Sequence, residues 1–113
     1  MVARRKILFL CVMNRMRSKT AEVIFSGRDD MEVRSAGTDD EAEVVLTEEM
    51  LNWADVIFIM EEAWQVPDLE RKFPELYPKK KVICLHVEDI YRFMDPALVR
   101  LLKSAVELQL TQL

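Results

Sequence analysis

From Ile7 onward, the run Lys6-Ile7-Leu8-Phe9-Leu10 is apolar without alternation. A strand with one wet face alternates polar and apolar residues, whereas a central parallel strand is covered on both faces and reads as an unbroken hydrophobic run. The run therefore commits the chain to packed layers on both sides of a sheet. Two similar runs follow, Asp55 to Met60 and Lys81 to Leu85, and a short strand is predicted over Glu32 to Arg34. The intervening segments carry helical signals. Ser18 to Ser26 sets Ala21, Ile24 and Phe25 near helical spacing before Gly27. Thr47-Glu48-Glu49 reads as a cap and first turn for a short helix through Trp53. Glu61 to Phe73 forms another, with a break expected at Pro67 and a stop at Pro74. Asp95 with Pro96 caps a last helix whose Leu98, Leu101, Leu102 and Val106 make one face.

Strands alternating with helices predict an α/β fold: three layers, doubly wound, with a four-stranded parallel sheet flanked by helices. Ligands bind such sheets at the carboxyl ends of the strands. Those ends carry Cys11, Ser35, Met60-Glu61 and His86 to Asp89, so the candidate chemistry converges on one edge. Ser35-Ala36-Gly37-Thr38 is read as a turn and Asp39 to Glu43 as a solvated acidic loop. With 113 residues, the span 1–113 is expected to be one domain whose core needs no disulfide or metal.

The first strand runs directly into Cys11-Val12-Met13-Asn14-Arg15-Met16-Arg17-Ser18, and a helix begins at the end of that stretch. A helix N-terminus presents unpaired N–H groups and the positive end of the macrodipole, which favour a bound phosphate or a thiolate. Cys11 is thus a candidate nucleophile. Arg17 offers a planar fork of donors able to hold two phosphoryl oxygens at once, a geometry that lysine cannot copy. Ser18 is placed to hydrogen-bond the sulfur. Asn14 is the loop residue best suited to a left-handed backbone, because the loop has no glycine.

Half of the residues are hydrophobic and 32% are charged, as in an ordinary globular chain. The formal net charge of -4 argues against a nucleic-acid partner. Arg15, Arg17 and Lys19 nevertheless cluster near the loop, and a positive mouth there would suit an anionic substrate. Arg4-Arg5-Lys6 followed by Ile7 to Met13 imitates a signal peptide, but Asn14 to Arg17 ends the run without a small-residue cleavage site. No stretch has the length of a membrane span, so no membrane partner is expected. The two cysteines, Cys11 and Cys84, show no metal-ligand spacing, and a reducing cytoplasm is the simplest compartment.

The ordered set of segments resembles the low-molecular-weight protein tyrosine phosphatase family, in a short bacterial form. The matching pieces are the Cys11 to Ser18 loop, Ser35-Ala36-Gly37-Thr38, Ala54 to Glu61, and Asp89-Ile90-Tyr91. The resemblance implies a phosphomonoesterase acting on a phosphorylated substrate, such as a phosphotyrosyl protein, with no cofactor. Cys11 would attack phosphorus to give a phosphocysteine, Arg17 would bind the phosphoryl group, and Asp89 would be the general acid. Asp95 is the rival acid, since the family's acid is usually followed by proline and Ile90 stands after Asp89. A cap role accounts for Asp95 and favours Asp89. The loop residues Val12, Met13, Asn14, Arg15, Met16 and Ser18 would contact the substrate, and Tyr91 and Phe93 are the candidates to wall its ring. Ser35 would brace Asn14, and Glu61 would orient the arginine.

Two departures from the family are evident. Met13 stands where glycine is common, and Met16 replaces a second loop cysteine, which removes an intraloop disulfide. Trp53 and Trp64 lie in helical patterns and are expected to pack there, and His86 is read as structural. Two other activities fit the same scaffold. Arsenate reductases share it but need a resolving thiol, for which Cys84 inside an apolar strand is poorly placed. A non-catalytic oxyanion-binding or regulatory domain would need only the loop.

Overall fold

The uninterrupted apolar strand takes the middle of the sheet because Ile7, Leu8, Phe9 and Leu10 must all leave water, and each is fully buried. The computed structural model describes residues 4–113. In chain order the elements are β1 (Arg5–Cys11), α1 (Arg17–Phe25), β2 (Met31–Gly37), α2 (Glu48–Trp53), β3 (Val56–Ile59), α3 (Glu62–Lys72), β4 (Val82–Cys84) and α4 (Pro96–Gln112). A 3₁₀ turn covers Tyr77–Lys79. The sheet has the order β2-β1-β3-β4 and every pairing is parallel.

Successive residues of β1 point to opposite faces, and the two faces build two separate cores. Ile7, Phe9 and Cys11 join Ala21 and Phe25 of α1, Phe58 of β3, and Leu98, Leu102 and Val106 of α4. Phe9 stacks between Phe25 and Phe58, with ring centroids 5.8 and 5.5 Å away. Leu8 and Leu10 join Ile57, Ile59, Leu51 of α2 and Leu69 of α3 on the other side. The result is the expected three-layer α/β arrangement around four parallel strands.

Several local expectations differ from the structure. Helix α3 continues through Pro67. The carbonyl that Pro67 cannot serve belongs to Ala63, and both residues line an open cleft, where that carbonyl is not trapped away from water. Strand β2 extends through Ser35, Ala36 and Gly37, paired with Phe9, Leu10 and Cys11, so the turn begins only at Thr38. Leu101 sits at the edge of the α4 stripe and is 36% exposed, while Leu98, Leu102 and Val106 are fully buried. Trp64 is 67% exposed rather than packed. Trp53 does pack against the second core, with the Arg34 guanidinium 4.3 Å over its ring.

The acidic loop is tied down rather than merely solvated. Lys19 and Arg15 approach Glu43 at 3.0 and 3.9 Å, and Lys72 donates to Asp40 at 2.6 Å. The hydrogen bond from Lys72 holds the Asp40 carboxyl below its usual range. Among the described residues, no helix is long and apolar enough to cross a membrane.

Candidate active site

Cys11 ends β1 and Arg17 opens α1, so residues 12–16 must reverse into a helix within a few residues. Asn14 makes this possible by adopting φ 56°, the left-handed conformation that asparagine tolerates better than most side chains. Room for the loop comes from Gly37. A Cβ there would lie 2.5 Å from the Val12 carbonyl oxygen and 2.4 Å from Ala42 Cβ. The following segment is stitched to the loop by backbone bonds from Thr38 to the Cys11 carbonyl, Asp39 to that of Val12, and Glu43 to that of Met13. Among the described residues, the N–H groups of residues 12–16 donate to no protein acceptor. Together with the free first-turn amides of α1, they form a set of donors suited to an anion.

Beneath the loop runs a hydrogen-bond chain of defined direction. Asn14, itself buried, donates from Nδ2 to Ser18 Oγ at 2.8 Å and to Ser35 Oγ at 2.9 Å. Ser35 in turn donates a hydrogen bond from its hydroxyl to Glu22 Oε1 at 2.8 Å. Ser18 Oγ lies 2.9 Å from Cys11 Sγ. Since Ser18 already accepts from Asn14, its hydroxyl hydrogen is free to point at the sulfur, an arrangement that favours sulfur as the acceptor.

Arg17 is 2% exposed, although it is charged and lines a cleft. Its Nη1 donates to Glu61 Oε1 at 2.5 Å and to the Val87 carbonyl at 2.8 Å, and its Nε lies 3.7 Å from Asp89 Oδ1. The fork is therefore oriented through Nη1 by two groups, one from the start of α3 and one from the segment after β4. Gln65, fully buried, supports this frame. Its Oε1 accepts from the backbone of Met60 and Glu61, and its Nε2 donates to the Leu10 carbonyl, tying the end of β3 to the end of β1.

The cleft over Cys11 measures about 780 Å³, within the usual range for small-molecule sites. Of the residues singled out in the sequence, Cys11, Val12, Met13, Arg15, Met16, Arg17, Glu61 and Asp89 line it. Asn14, Ser18 and Ser35 lie below as the brace. Asp95 is elsewhere, its carboxylate accepting from Ala97 N at 2.8 Å as the cap of α4. Tyr91 does not line the cleft but packs, half-buried, against the first core. The aromatic wall is Trp64, flanked by Ala63 and Pro67.

The expected positive mouth is also different. Arg15 and Arg17 face carboxylates, and Asp39, Asp68 and Asp89 share the rim. Cys84 lies off the cleft, and burial pushes its thiol up, opposite to what a resolving thiol needs.

Trp64, expected to pack, instead lines the cleft, and the sequence does not single out Glu22 or Gln65. Trp64 shares a helical face with Pro67, and Glu22 follows Ser18 by one turn, but neither spacing alone distinguishes a site from a surface.

No protein-family model matches the chain, and no curated protein matches it. Solved structures do. Wzb of Vibrio vulnificus in complex with benzylphosphonate superposes with a TM-score of 0.77 at 23% identity, covering 98% of this chain and 100% of that one. The low molecular weight protein tyrosine phosphatase SP-PTP of Streptococcus pyogenes gives 0.78 at 19% identity, over 96% and 93%. The YwlE arginine phosphatase of Geobacillus stearothermophilus gives 0.66 at 24% identity, over 96% and 95%. At these identities the likeness is one of fold: the chain has the architecture of low molecular weight protein tyrosine phosphatases.

Proposed function

We propose that the chain is a phosphomonoesterase of the protein tyrosine phosphatase type, working through a phosphocysteine on Cys11. The observation that carries this reading is the polarised contact from Ser18 to the Cys11 sulfur, beneath amides without protein acceptors and beside a buried, doubly anchored arginine. Such a construction stabilises negative charge on sulfur and on a phosphoryl group together. In the first step the Cys11 thiolate forms the S–P bond as the P–O bond to the leaving group breaks, with Arg17 and the loop amides holding the phosphoryl oxygens. Asp89, on the cleft wall and near Arg17, gives its proton to the departing oxygen. In the second step water attacks phosphorus, its proton passes to Asp89, and phosphate and the thiolate are released. The chemistry relies on positioning and charge stabilisation by the chain's own groups.

The apolar wall of Met13, Ala63, Trp64 and Pro67 supports an aromatic leaving group, hence a phosphotyrosyl substrate. A second reading rests on the rim carboxylates. Asp39, Asp68 and Asp89, beside the exposed face of Trp64, also suit a cationic leaving group, and one neighbour in fold is named an arginine phosphatase.

The test is hydrolysis of an aryl phosphate, a phosphotyrosyl peptide and a phosphoarginyl peptide by wild type and variants. Cys11→Ser should abolish turnover while retaining phosphate binding. Asp89→Asn should lower kcat by on the order of 10²–10⁴ for aryl ester substrates, the range for a lost general acid, and Asp95→Asn should leave kcat within about twofold, on the ground that only its cap is touched. Wild-type inactivity on all three substrates, with phosphate still bound, would favour an oxyanion-binding domain instead.

A further inference from the structure

Beside the Arg17 anchor, where the first turn of α3 meets the end of β4, Glu62, Cys84 and His86 bring a carboxylate oxygen, a sulfur and a ring nitrogen within 4.8 Å of one another. We infer that these three residues form a binding site for a thiophilic divalent cation, Zn²⁺ in particular, distinct from the oxyanion cleft. The geometry points to this ion. Cys84 Sγ and His86 Nδ1 stand 3.6 Å apart. A sulfur at ~2.3 Å and a nitrogen at ~2.0–2.1 Å from one zinc ion, at the tetrahedral angle, are separated by about 3.6 Å. The pair thus already spans one edge of a zinc tetrahedron, Glu62 supplies a third corner, and the fourth is left to water.

The backbone that carries Cys84 and His86 is fixed against β3. Cys84 pairs with Ile59 across the sheet, and the chain beyond it stays on β3 through bonds from Leu85 to the Ile59 carbonyl and from Val87 to that of Met60. Between those two anchors, His86 takes φ 56°, which non-glycine residues seldom adopt. The adjoining groove is lined by Glu61, Glu62 and Glu88, with no lysine or arginine among its lining residues, so its field favours a cation. A thiol and an imidazole in the set exclude the hard, oxygen-seeking cations Mg²⁺ and Ca²⁺ as the preferred occupants.

The location gives the ion a mechanical consequence. Glu62 adjoins Glu61 and His86 adjoins Val87, the two groups that grip Arg17 Nη1. An ion held between them ties the start of α3 to the segment after β4, and so fixes the two jaws that orient the guanidinium.

Titration of the Cys11→Ser protein with Co²⁺, a spectroscopic stand-in for Zn²⁺, tests the site, because only one thiol remains. The expected result is a sulfur-to-metal charge-transfer band that saturates at one ion per chain and is displaced by Zn²⁺. Adding Cys84→Ser should abolish the band. His86→Ala and Glu62→Gln, whose side chains lie at the surface and whose loss should be tolerated by the fold, should each weaken binding by about tenfold or more, since even outer-shell partners account for 10–100-fold. Zn²⁺ should also raise the unfolding temperature of the Cys11→Ser protein, and that rise should vanish with Cys84→Ser. Absence of the band in Cys11→Ser under excess Co²⁺, or affinities unchanged by His86→Ala and Glu62→Gln, would reduce the cluster to a thiol–imidazole hydrogen bond and overturn the inference. Because the readouts are metal absorption and unfolding, they stand whether or not the chain proves to be a phosphatase.

Discussion

Gln65 is a polar side chain with no exposed surface, and its three hydrogen bonds reach the ends of two strands and the residue that grips Arg17. Replacing it by leucine keeps the bulk but leaves the Met60 and Glu61 amides and the Leu10 carbonyl unpaired. At ~1–3 kcal/mol for each stranded buried group, partly relieved by relaxation, Gln65→Leu should lower stability by about 3 kcal/mol in urea unfolding. A loss below about 0.5 kcal/mol would mean that the amide is not a strut. Individual residues were unevenly legible. Cys11, Asn14, Arg17 and Ser18 announce themselves because the spacing between a strand end and a helix start leaves few ways to turn the chain. Gln65 does not, since a glutamine in the second half of a helical turn looks the same whether it faces water or a neighbouring strand. Tyr91 misled because the match of Asp89-Ile90-Tyr91 to the family pattern fixes a place in the chain, whereas in an irregular segment it does not fix which way the ring turns, and here the ring packs against the first core.

At the scale of elements, α4 offers the sharpest contrast. Leu102 is fully buried in the first core, whereas Leu101, one position earlier, lies at the edge of the stripe. Leu102→Ala should cost about 3–4 kcal/mol through lost burial and the cavity left behind, and Leu101→Ala about 1 kcal/mol or less, by thermal or chemical unfolding. Equal losses would place both leucines in the core. Strands β1 and β3 could be read directly because continuous apolar runs of strand length are bounded by polar residues. The last three residues of β2 could not. Ser35, Ala36 and Gly37 have turn-forming composition, and only the backbone of β1 alongside makes them a strand. Pro67 is the same lesson reversed, a local breaker overridden because its neighbouring carbonyl opens onto the cleft.

For the molecule as a whole, β1 is the strand at which the connections change direction, since β2 lies on one side of it and β3 on the other. The crevice beyond such a strand is where parallel sheets receive ligands, and the free amides of residues 12–16 lie there. Inorganic phosphate or vanadate should therefore stabilise the entire fold, by about 2.7 kcal/mol at a concentration one hundred times the dissociation constant. Arg17→Ala should remove most of that gain, as differential scanning calorimetry would show. An equal rise in both proteins would place the anion elsewhere. Since side chains along β1 swap sides at every step, Ile7, Phe9 and Cys11 share one flank while Leu8 and Leu10 share the other. Deleting any one residue between Arg5 and Leu10 would keep a greasy strand but swing the sulfur toward the layer of α2 and α3, away from the serine that steadies it. The count of residues ahead of the nucleophile is thus part of its chemistry, as binding as the identity of any side chain around it.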